Sequence, residues 1–379
     1  MNIYWISKVK KKSLHKTTRF EISEELRRRG HQVKLITEKN IGEKKTDDEN
    51  NFSVPTIPYQ ILSGFTFGVF IFFYLPIMVR KKKIDVIIID AGNVWLPFTL
   101  TLKLLNTFLL LDIRSLPVYK KHLIPFKISM FLSKFIVNGI TTITPELKDV
   151  LIKKYEIKNE IIGVWTSGVS EKFFARPSMI DNKNSYFRDP AYFYLMYHGS
   201  YAPTRGIENL IESIAELDTS LKKIVKLLII GIDQNKKINL EELCIKLHIN
   251  DQVEFIPPLD YDKISTYIDL CDVGVIPLPP QHIWWSVSAP LKTLEYLARA
   301  KPIIMTNIPF HCRIFDKGKC GLLIKSNDKK DLAQAITIMY ENKDEFKKMG
   351  EIGKSIVEKY YKWEKSAIDL EEFIKKLIE

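Results

Sequence analysis

Only four cysteines occur in the 379 residues, Cys244, Cys271, Cys312 and Cys320, and no two of them form a C-x-x-C pair. That number and spacing give neither a disulfide framework nor a zinc site, and the apolar surroundings mark reduced, buried thiols of a cytosolic protein. The charged-then-apolar pattern of a signal peptide is also missing: MNIYWIS runs straight into strand-like sequence, so export by that route is not expected. There is no basic-aromatic RNA motif, helix-turn-helix pattern or zinc finger, so a nucleic-acid partner is not expected despite a formal charge of +12. No internal repeat of solenoid length occurs.

The charge lies on one side of the chain. Residues 1–170 hold 27 Lys+Arg against 15 Asp+Glu, and the remainder holds 30 of each sign. A basic half beside a neutral half points to an anionic partner for the first half, and without nucleic-acid motifs an acidic lipid surface is the candidate. A hydrophobic fraction of 46% and a charged fraction of 27% are those of a globular chain, and the length suits two domains.

Short apolar runs alternate with amphipathic stretches, the pattern of βαβ units. In the first half, residues 2–6, 31–37, 84–90, 107–111 and 139–144 read as strands. A helix from Thr18 closes at Gly30, whose missing Cβ suits a left-handed cap. Residues 176–190 contain two prolines and no apolar periodicity, and read as a linker. Strands follow at 192–198, 225–230, 253–256, 273–276, 302–306 and 321–324, and the first helix between them repeats Ile207, Leu210, Ile211, Ile214 and Leu217 on one face. The expected organisation is a first domain 1–175, a linker 176–190, a second domain 191–360 and a last helix 361–379. The fold class is α/β, two Rossmann-like domains facing a central cleft, with ligands at strand carboxyl ends and helix N-termini.

Residues 61–79 (ILSGFTFGVFIFFYLPIMV) contain no charge, and Arg80, Lys81, Lys82 and Lys83 follow at once. The length is that of a membrane span. However, the strands before and after it belong to one expected sheet, which a crossing would divide between two sides of a bilayer. A buried helix is one alternative. The expectation is a helix whose outer face, with Phe70, Phe72 and Phe73, lies in the lipid interface while the four basic residues meet anionic headgroups. Met130, Phe131, Phe135 and Ile136, near Lys120, Lys121, Lys127 and Lys134, form a second apolar and basic stretch. These features place the protein in the cytoplasm, peripheral on the inner face of the cell membrane.

In YHGSYAPTRGIENLIESI a strand leads through Gly199 and Ser200 to Arg205-Gly206 at the start of a helix. A guanidinium beside a helix N-terminus suits a diphosphate; the alternative is an arginine on a solvated helix start. In SAPLKTLEYLARAKPIIMTNIP, Pro290 fits the first turn of a helix with Leu291, Leu294 and Leu297 on its core face. Lys292 and Glu295 are then neighbours on the other face. Ser288 and the helix start at Ala289, Pro290 and Leu291 are placed to hold phosphate, Lys292 to add charge and Glu295 to accept ribose hydroxyls. The alternative is an exposed Lys292–Glu295 ion pair worth about a few tenths of a kcal/mol. Asp112 and Arg114, in LLLDIRSLPV, are candidate cleft residues at a strand end, with a local ion pair as the alternative. His198 reads as a strand-end histidine, and none of the seven histidines has a catalytic context.

In order and spacing these segments resemble the family-4 retaining glycosyltransferases of GT-B fold, over almost the whole chain. The resemblance rests on Gly30-His31 at the start of a strand, SGVSEKFF (167–174), the GS…RGIENL loop, LLIIG and VEFIPPL…CDVGVIPL. It is completed by the P-x-K-x-x-E-Y-x-A-x-x-K-P-I-I block and the helix from Trp363. It implies a nucleotide-sugar donor, a substrate rather than a cofactor, held by the second domain. The acceptor then belongs to the first domain, the last helix crosses back to brace the cleft, and no metal or metal-binding D-x-D motif is used. It implies hexosyl transfer with retention, Arg205 supporting the donor diphosphate and Glu295 contacting the ribose. Arg205, Lys292, Asp112 and Arg114 are the expected catalytic groups. The chain departs from the family at Val287 and Ser200, where a Glu and an Arg are usual, and KVKKKSLHK replaces the glycine-rich loop after the first strand. Lys292, Ser288 or Trp284-Trp285 then take over part of donor binding, or activity is reduced. The expected acceptor is lipid-linked or a growing glycan at an anionic membrane surface. Two other readings stay open: a sugar-nucleotide epimerase of the same fold, and a non-catalytic GT-B partner of another transferase.

Overall fold

The computed structural model describes residues 1–10, 17–42, 48–57, 60–81, 83–91, 102–103, 105–117, 120–175 and 188–379. They form two compact units, Met1–Gly168 with Trp363–Glu379, and Val169–Lys362. The division falls at Gly168, earlier than residue 175, and residues 176–187 of the expected linker lie outside the described residues.

Among the described residues the first unit is built on seven parallel strands: β1 (Asn2–Lys10), β2 (Gln32–Asn40), β3 (Asn51–Thr56), β4 (Val86–Asp90), β5 (Leu109–Ile113), β6 (Gly139–Thr142) and β7 (Ile162–Val164). Their order is β3-β2-β1-β4-β5-β6-β7. β4 and β5 are buried along their whole length, as the continuous apolar runs VIIID and LLLDI require of central strands covered on both faces. β3 was not expected from the sequence. Its NFSVPT contains Pro55, which an edge strand tolerates because one side of its backbone needs no ladder bonds. β1 runs on past Ile6 to Lys10, and Lys8 approaches Glu38 at 4.0 Å; residues 11–16 of the lysine-rich loop lie outside the described residues.

Helices α1 (Thr17–Arg28), α2 (Gln60–Lys81), α3 (Leu123–Ile136) and α4 (Pro145–Tyr155) connect these strands. Gly30 closes α1 with φ +86°. The step from β1 to β2 runs one way across the sheet, and the steps β3 to β4 and β5 to β6 run the other. Right-handed crossovers therefore put α1 on one face and both α2 and α3 on the opposite face.

α2 packs Phe67, Ile71 and Leu75 fully inward. Phe70 stacks on Phe52 of β3 at 5.6 Å and on Tyr74 at 4.5 Å, so it serves the fold, and the expectation of a lipid contact there is corrected. Phe72 and Phe73 do face outward, with Leu62, Phe65 and Ile77. Arg80, Lys81 and Lys83 are exposed, and Lys82 lies outside the described residues. The helix is long and apolar enough to cross a membrane, yet β3 before it and β4 after it are strands of one sheet. In α3, Met130 and Ile136 are 1% exposed and belong to the core, so only Phe131 and Phe135 of the expected apolar set point outward.

The second unit carries six parallel strands in the order β10-β9-β8-β11-β12-β13. They are β8 (Phe193–His198), β9 (Val225–Ile230), β10 (Val253–Ile256), β11 (Val273–Ile276), β12 (Ile303–Thr306) and β13 (Gly321–Ile324). Its helices are α5 (Ile207–Ala215), α6 (Thr219–Ile224), α7 (Gln234–Lys246), α8 (Tyr261–Leu270), α9 (Ile283–Ser286), α10 (Leu291–Ala298), α11 (Pro309–Phe315), α12 (Lys329–Glu341) and α13 (Lys343–Tyr360). Ile207, Leu210, Ile211, Ile214 and Leu217 enter its core as their spacing predicts. Cys244, Cys271 and Cys320 are buried free thiols, and Cys312 is half-buried. The last helix, α14 (Trp363–Ile378), belongs to the first unit, where Arg29 meets Glu371 at 2.6 Å and Ser366 Oγ donates to the Thr166 carbonyl at 2.9 Å.

Candidate active site

In the second unit the site grows from the end of β8. The strand FYLMYH is apolar except at its terminus, which leaves His198 buried beside Tyr197. Gly199 then turns the chain with φ +128°. A short turn, Pro203–Arg205, leads to Gly206, with φ +71°, which precedes α5. A Cβ at Gly206 would lie 2.0 Å from the Pro277 carbonyl oxygen, so only glycine fits there. This bend sets Arg205 at the N-terminal end of α5, where the helix dipole is positive.

α10 contributes from the other side. Pro290, φ −65°, stands just before the helix instead of in its first turn. Residues Lys292, Thr293, Leu294, Glu295, Tyr296, Leu297 and Ala298 are all buried, so the helix has no solvated face. The exposed Lys292–Glu295 pair therefore does not exist: the two residues are 7% and 4% exposed. Lys292 Nζ lies 3.9 Å over the Tyr197 ring and has no hydrogen-bond partner. A Cβ placed on Gly199 would meet Lys292 Nζ at 3.1 Å and Arg205 Nη1 at 3.6 Å, so the two cations converge on this glycine. Burial, reinforced by the Arg205 charge and opposed by Glu295, drives the Lys292 ammonium well below its usual range.

Glu295 Oε2 lies 3.3 Å from His198 Nε2. Burial pushes the Glu295 carboxyl up to about 7, against the Tyr261 hydroxyl and the Lys292 charge. Burial and the Lys292 charge push the His198 imidazole down to about 3, so near pH 7 a neutral imidazole faces a titrating carboxyl. His311 is already satisfied, with Nε2 at 3.0 Å from Thr293 Oγ1 and Nδ1 at 2.7 Å from the Thr306 carbonyl. Trp285 Nε1 donates to the Thr204 carbonyl at 2.7 Å and the Arg205 guanidinium stands 5.8 Å from its ring. Ser288 is half-buried and its hydroxyl donates to the Trp284 carbonyl. Ser200 is half-buried, Ala289 and Val287 are buried, and Leu291 is half-buried. Thus Gly199, Arg205, Lys292 and Glu295 come together as the motifs imply. His198 and Tyr197 join them without having been singled out as functional.

The carboxyl edge of the first sheet holds acids. Asp90 of β4 and Asp112 of β5 are register partners. Asp90 receives Trp5 Nε1 at 3.0 Å, Ser7 Oγ at 2.5 Å and Arg19 Nε at 3.0 Å. Asp112 Oδ1 receives Thr141 Oγ1 at 2.8 Å and Trp165 Nε1 at 3.1 Å, while Oδ2 is buried without a partner. Arg114 lies with its guanidinium 3.7 Å over the Trp165 ring and donates through Nη1 to the Trp165 carbonyl at 2.9 Å; its Nη2 has no partner. The local Asp112–Arg114 ion pair is therefore absent. Burial raises the Asp112 carboxyl, against the charges of Arg114 and Arg19, and lowers Arg114 to about 10. Asp90, Arg19 and Thr141 were not singled out by the sequence. The one signal for Asp90 was an acid ending an otherwise apolar strand. No group of three or more His, Cys, Asp or Glu stands together as a metal site among the described residues.

Two parallel Rossmann-like sheets in one chain, one edged by convergent cations, are the architecture of a GT-B glycosyltransferase. The model of Glycosyltransferase Family 4 matches residues 17–173 and that of Glycosyl transferases group 1 matches residues 179–356, and the chain belongs to this family. An uncharacterized glycosyltransferase of Methanocaldococcus jannaschii is 24% identical over 196 residues, 52% of each chain, so this chain spans about half the length of that curated relative. Among solved structures, sucrose-phosphate synthase from Thermosynechococcus elongatus is similar with a TM-score of 0.80 at 16% identity, over 100% of this chain and 99% of the other. HepE of Anabaena in complex with UDP-glucose is similar with a TM-score of 0.75 at 13% identity, over 99% of each chain. At such identities the likeness is one of fold.

Proposed function

We propose that this protein transfers a hexosyl group from a nucleotide-sugar donor to an acceptor with retention, and that the second unit binds the donor. The observation that carries this reading is Lys292: a buried ammonium with no hydrogen-bond partner, converging with Arg205 on Gly199 at the end of β8. A buried cation of this kind is costly until an anion joins it, and a diphosphate brings the matching charge. Glu295, beside His198, accepts the ribose hydroxyls in this reading. Arg205, Lys292 and the amino end of α5 stabilise the charge that grows on the departing diphosphate. An oxygen of that diphosphate takes the acceptor's proton on the same face of the sugar, so no strong protein base is demanded. Because HepE was solved with UDP-glucose, UDP-hexoses are the first donors to try.

The acceptor falls to the first unit, with Asp112 and Arg114 as its contacts. The basic first half and the outward aromatic residues of α2 favour a lipid-linked acceptor or growing glycan at the cytoplasmic, anionic face of a membrane. The test is a panel of UDP- and GDP-sugars, read by release of nucleoside diphosphate and by the anomeric configuration of the product. Release with retention supports the reading. Tight nucleotide binding with no turnover on any donor would make this a non-catalytic GT-B protein, and absence of nucleotide binding removes the donor site altogether.

A further inference from the structure

α3 is a short helix with two unlike faces. Phe126, Ser129, Met130, Ser133 and Ile136 point into the unit. Ile124, Ile128, Phe131 and Phe135, spaced by four, three and four residues, form one outward row at 69%, 51%, 61% and 65% exposure. Lys127 and Lys134 are exposed, seven residues apart, each adjoining that row. α2 presents a comparable row, Leu62, Phe65, Phe72, Phe73 and Ile77, which ends in exposed Arg80 and Lys81. Right-handed crossovers put both helices on one face of the sheet. The five exposed phenylalanines found among the described residues all lie on these two helices.

Charge identifies what covers such a face. Between Glu49 and Asp85 the chain has no acidic residue and four basic ones, and between Asp112 and Glu146 it has none against five. A protein partner would meet apolar side chains with charges of mixed sign, whereas apolar rows framed only by cations match acyl chains beneath anionic headgroups. Lys134 does reach Glu156 at 3.4 Å, but Glu156 is exposed and leaves Lys134 accessible. The geometry points to α3 as a lipid-docking helix: its Ile124–Ile128–Phe131–Phe135 row enters the acyl boundary of an anionic membrane, Lys127 and Lys134 hold headgroup phosphates, and α2 lies on the same plane. This rests on the membrane reading above and adds the surface that performs it.

The experiment is flotation of the full chain with vesicles of phosphatidylcholine alone or mixed equally with phosphatidylglycerol, at low salt. The wild type is expected to float with the mixed vesicles and to do so less as salt rises. Replacing Ile124, Ile128, Phe131 and Phe135 by Ser should abolish flotation while the melting temperature is retained, since all four are exposed. Each lysine at such a surface is worth about a fivefold change in partition, so the K127Q/K134Q variant should bind mixed vesicles about 25-fold more weakly and neutral ones unchanged. That second variant keeps the apolar row, and thus tests the idea even if the fourfold change unfolds the protein. If both variants float as the wild type does, α3 is not the docking helix, although the membrane reading stands. If the wild type stays at the bottom with every vesicle, the membrane reading itself fails. A doubled mass by light scattering without lipid, reversed by the fourfold change, would show that a second copy covers this face and overturn the proposal.

Discussion

The carboxyl edges of the two sheets have the same architecture and differ in how their charges are partnered. In the first unit Asp90 and Asp112 end adjacent strands, and Asp90 is met by an indole, a hydroxyl and a guanidinium. In the second, Arg205 and Lys292 arrive from the helix side, and among the described residues neither has an ion-pair partner within 4.0 Å. A buried acid that is hydrogen-bonded orders its surroundings. A buried cation left open costs stability until a ligand supplies the counter-charge. On the proposed reading the donor's diphosphate binds at the second edge, and acceptor hydroxyl groups meet the first.

The largest expected effect tests the cationic edge. Arg205→Ala should lower kcat about 10²- to 10³-fold, the usual cost of removing one preorganised donor to developing negative charge, with a smaller rise in donor KM. Lysine should restore part of the rate, though without the bidentate fork. Full turnover by Arg205→Ala in steady-state assays would remove the α5 loop from the diphosphate site. Lys292→Met comes next. It should weaken UDP binding by about tenfold to a hundredfold in calorimetry while raising the ligand-free melting temperature, because a poorly solvated charge has been removed. A lower melting temperature with unchanged UDP affinity would make Lys292 a structural residue and leave the two edges alike.

Glu295→Gln should cost about tenfold in nucleotide affinity, the scale of a lost charged hydrogen bond, and its stability effect has a sign that can be worked out. The carboxyl is raised from 4.5 to about 7 in the folded protein. The folded state thus keeps a proton that the unfolded state has lost, and stability falls as pH rises from about 4.5 through about 7. Glutamine has no such penalty, so the ligand-free variant should gain melting temperature over wild type at pH 8 and little at pH 4.5. His198, lowered to about 3, acts oppositely and withdraws stability as pH drops below about 6.5 in both proteins. A gain that is equal at the two pH values would mean that Glu295 is not the titrating group.

Much of this was readable beforehand. Residues 225–230, 253–256, 273–276 and 321–324 are strands where the apolar runs and turn residues place them. Arg205, Lys292 and Glu295 were visible because their motif spacing is local. What escaped depends on non-local packing. α10 reads as two-faced from its Lys and Glu, but α13 closes over it: a Cβ at Gly353 would lie 2.5 Å from a Leu297 methyl, and one at Gly350 2.1 Å from the Ala300 carbonyl oxygen. Burial of Lys292 and Glu295 is a property of that approach. Asp90 reaches its place beside Asp112 only through the β4–β5 register, which no local pattern encodes. Phe70 looked like its neighbours Phe72 and Phe73 until β3, itself unseen in the sequence, supplied Phe52 to stack upon.

The smallest expected effect concerns Asp112, and it asks whether the acidic edge is a site or a brace. Asn at this position keeps an oxygen for Thr141 and Trp165 and places an amide where Oδ2 now has no partner. Burial already raises the carboxyl, so its charge costs stability above its ordinary pKa, and removing the charge offsets the lost attraction to Arg114 and Arg19. Asp112→Asn should therefore change unfolding free energy by less than about 1 kcal/mol in urea titration. UDP affinity should be untouched, because the nucleotide belongs to the other unit in this reading. Transfer to the acceptor should fall, while slow hydrolysis of the donor by water continues at the wild-type rate. A loss of about 3 kcal/mol or more would mark Asp112 as a structural brace. Hydrolysis and transfer falling together would place it with the donor, and the division of labour between the two edges would have to be given up.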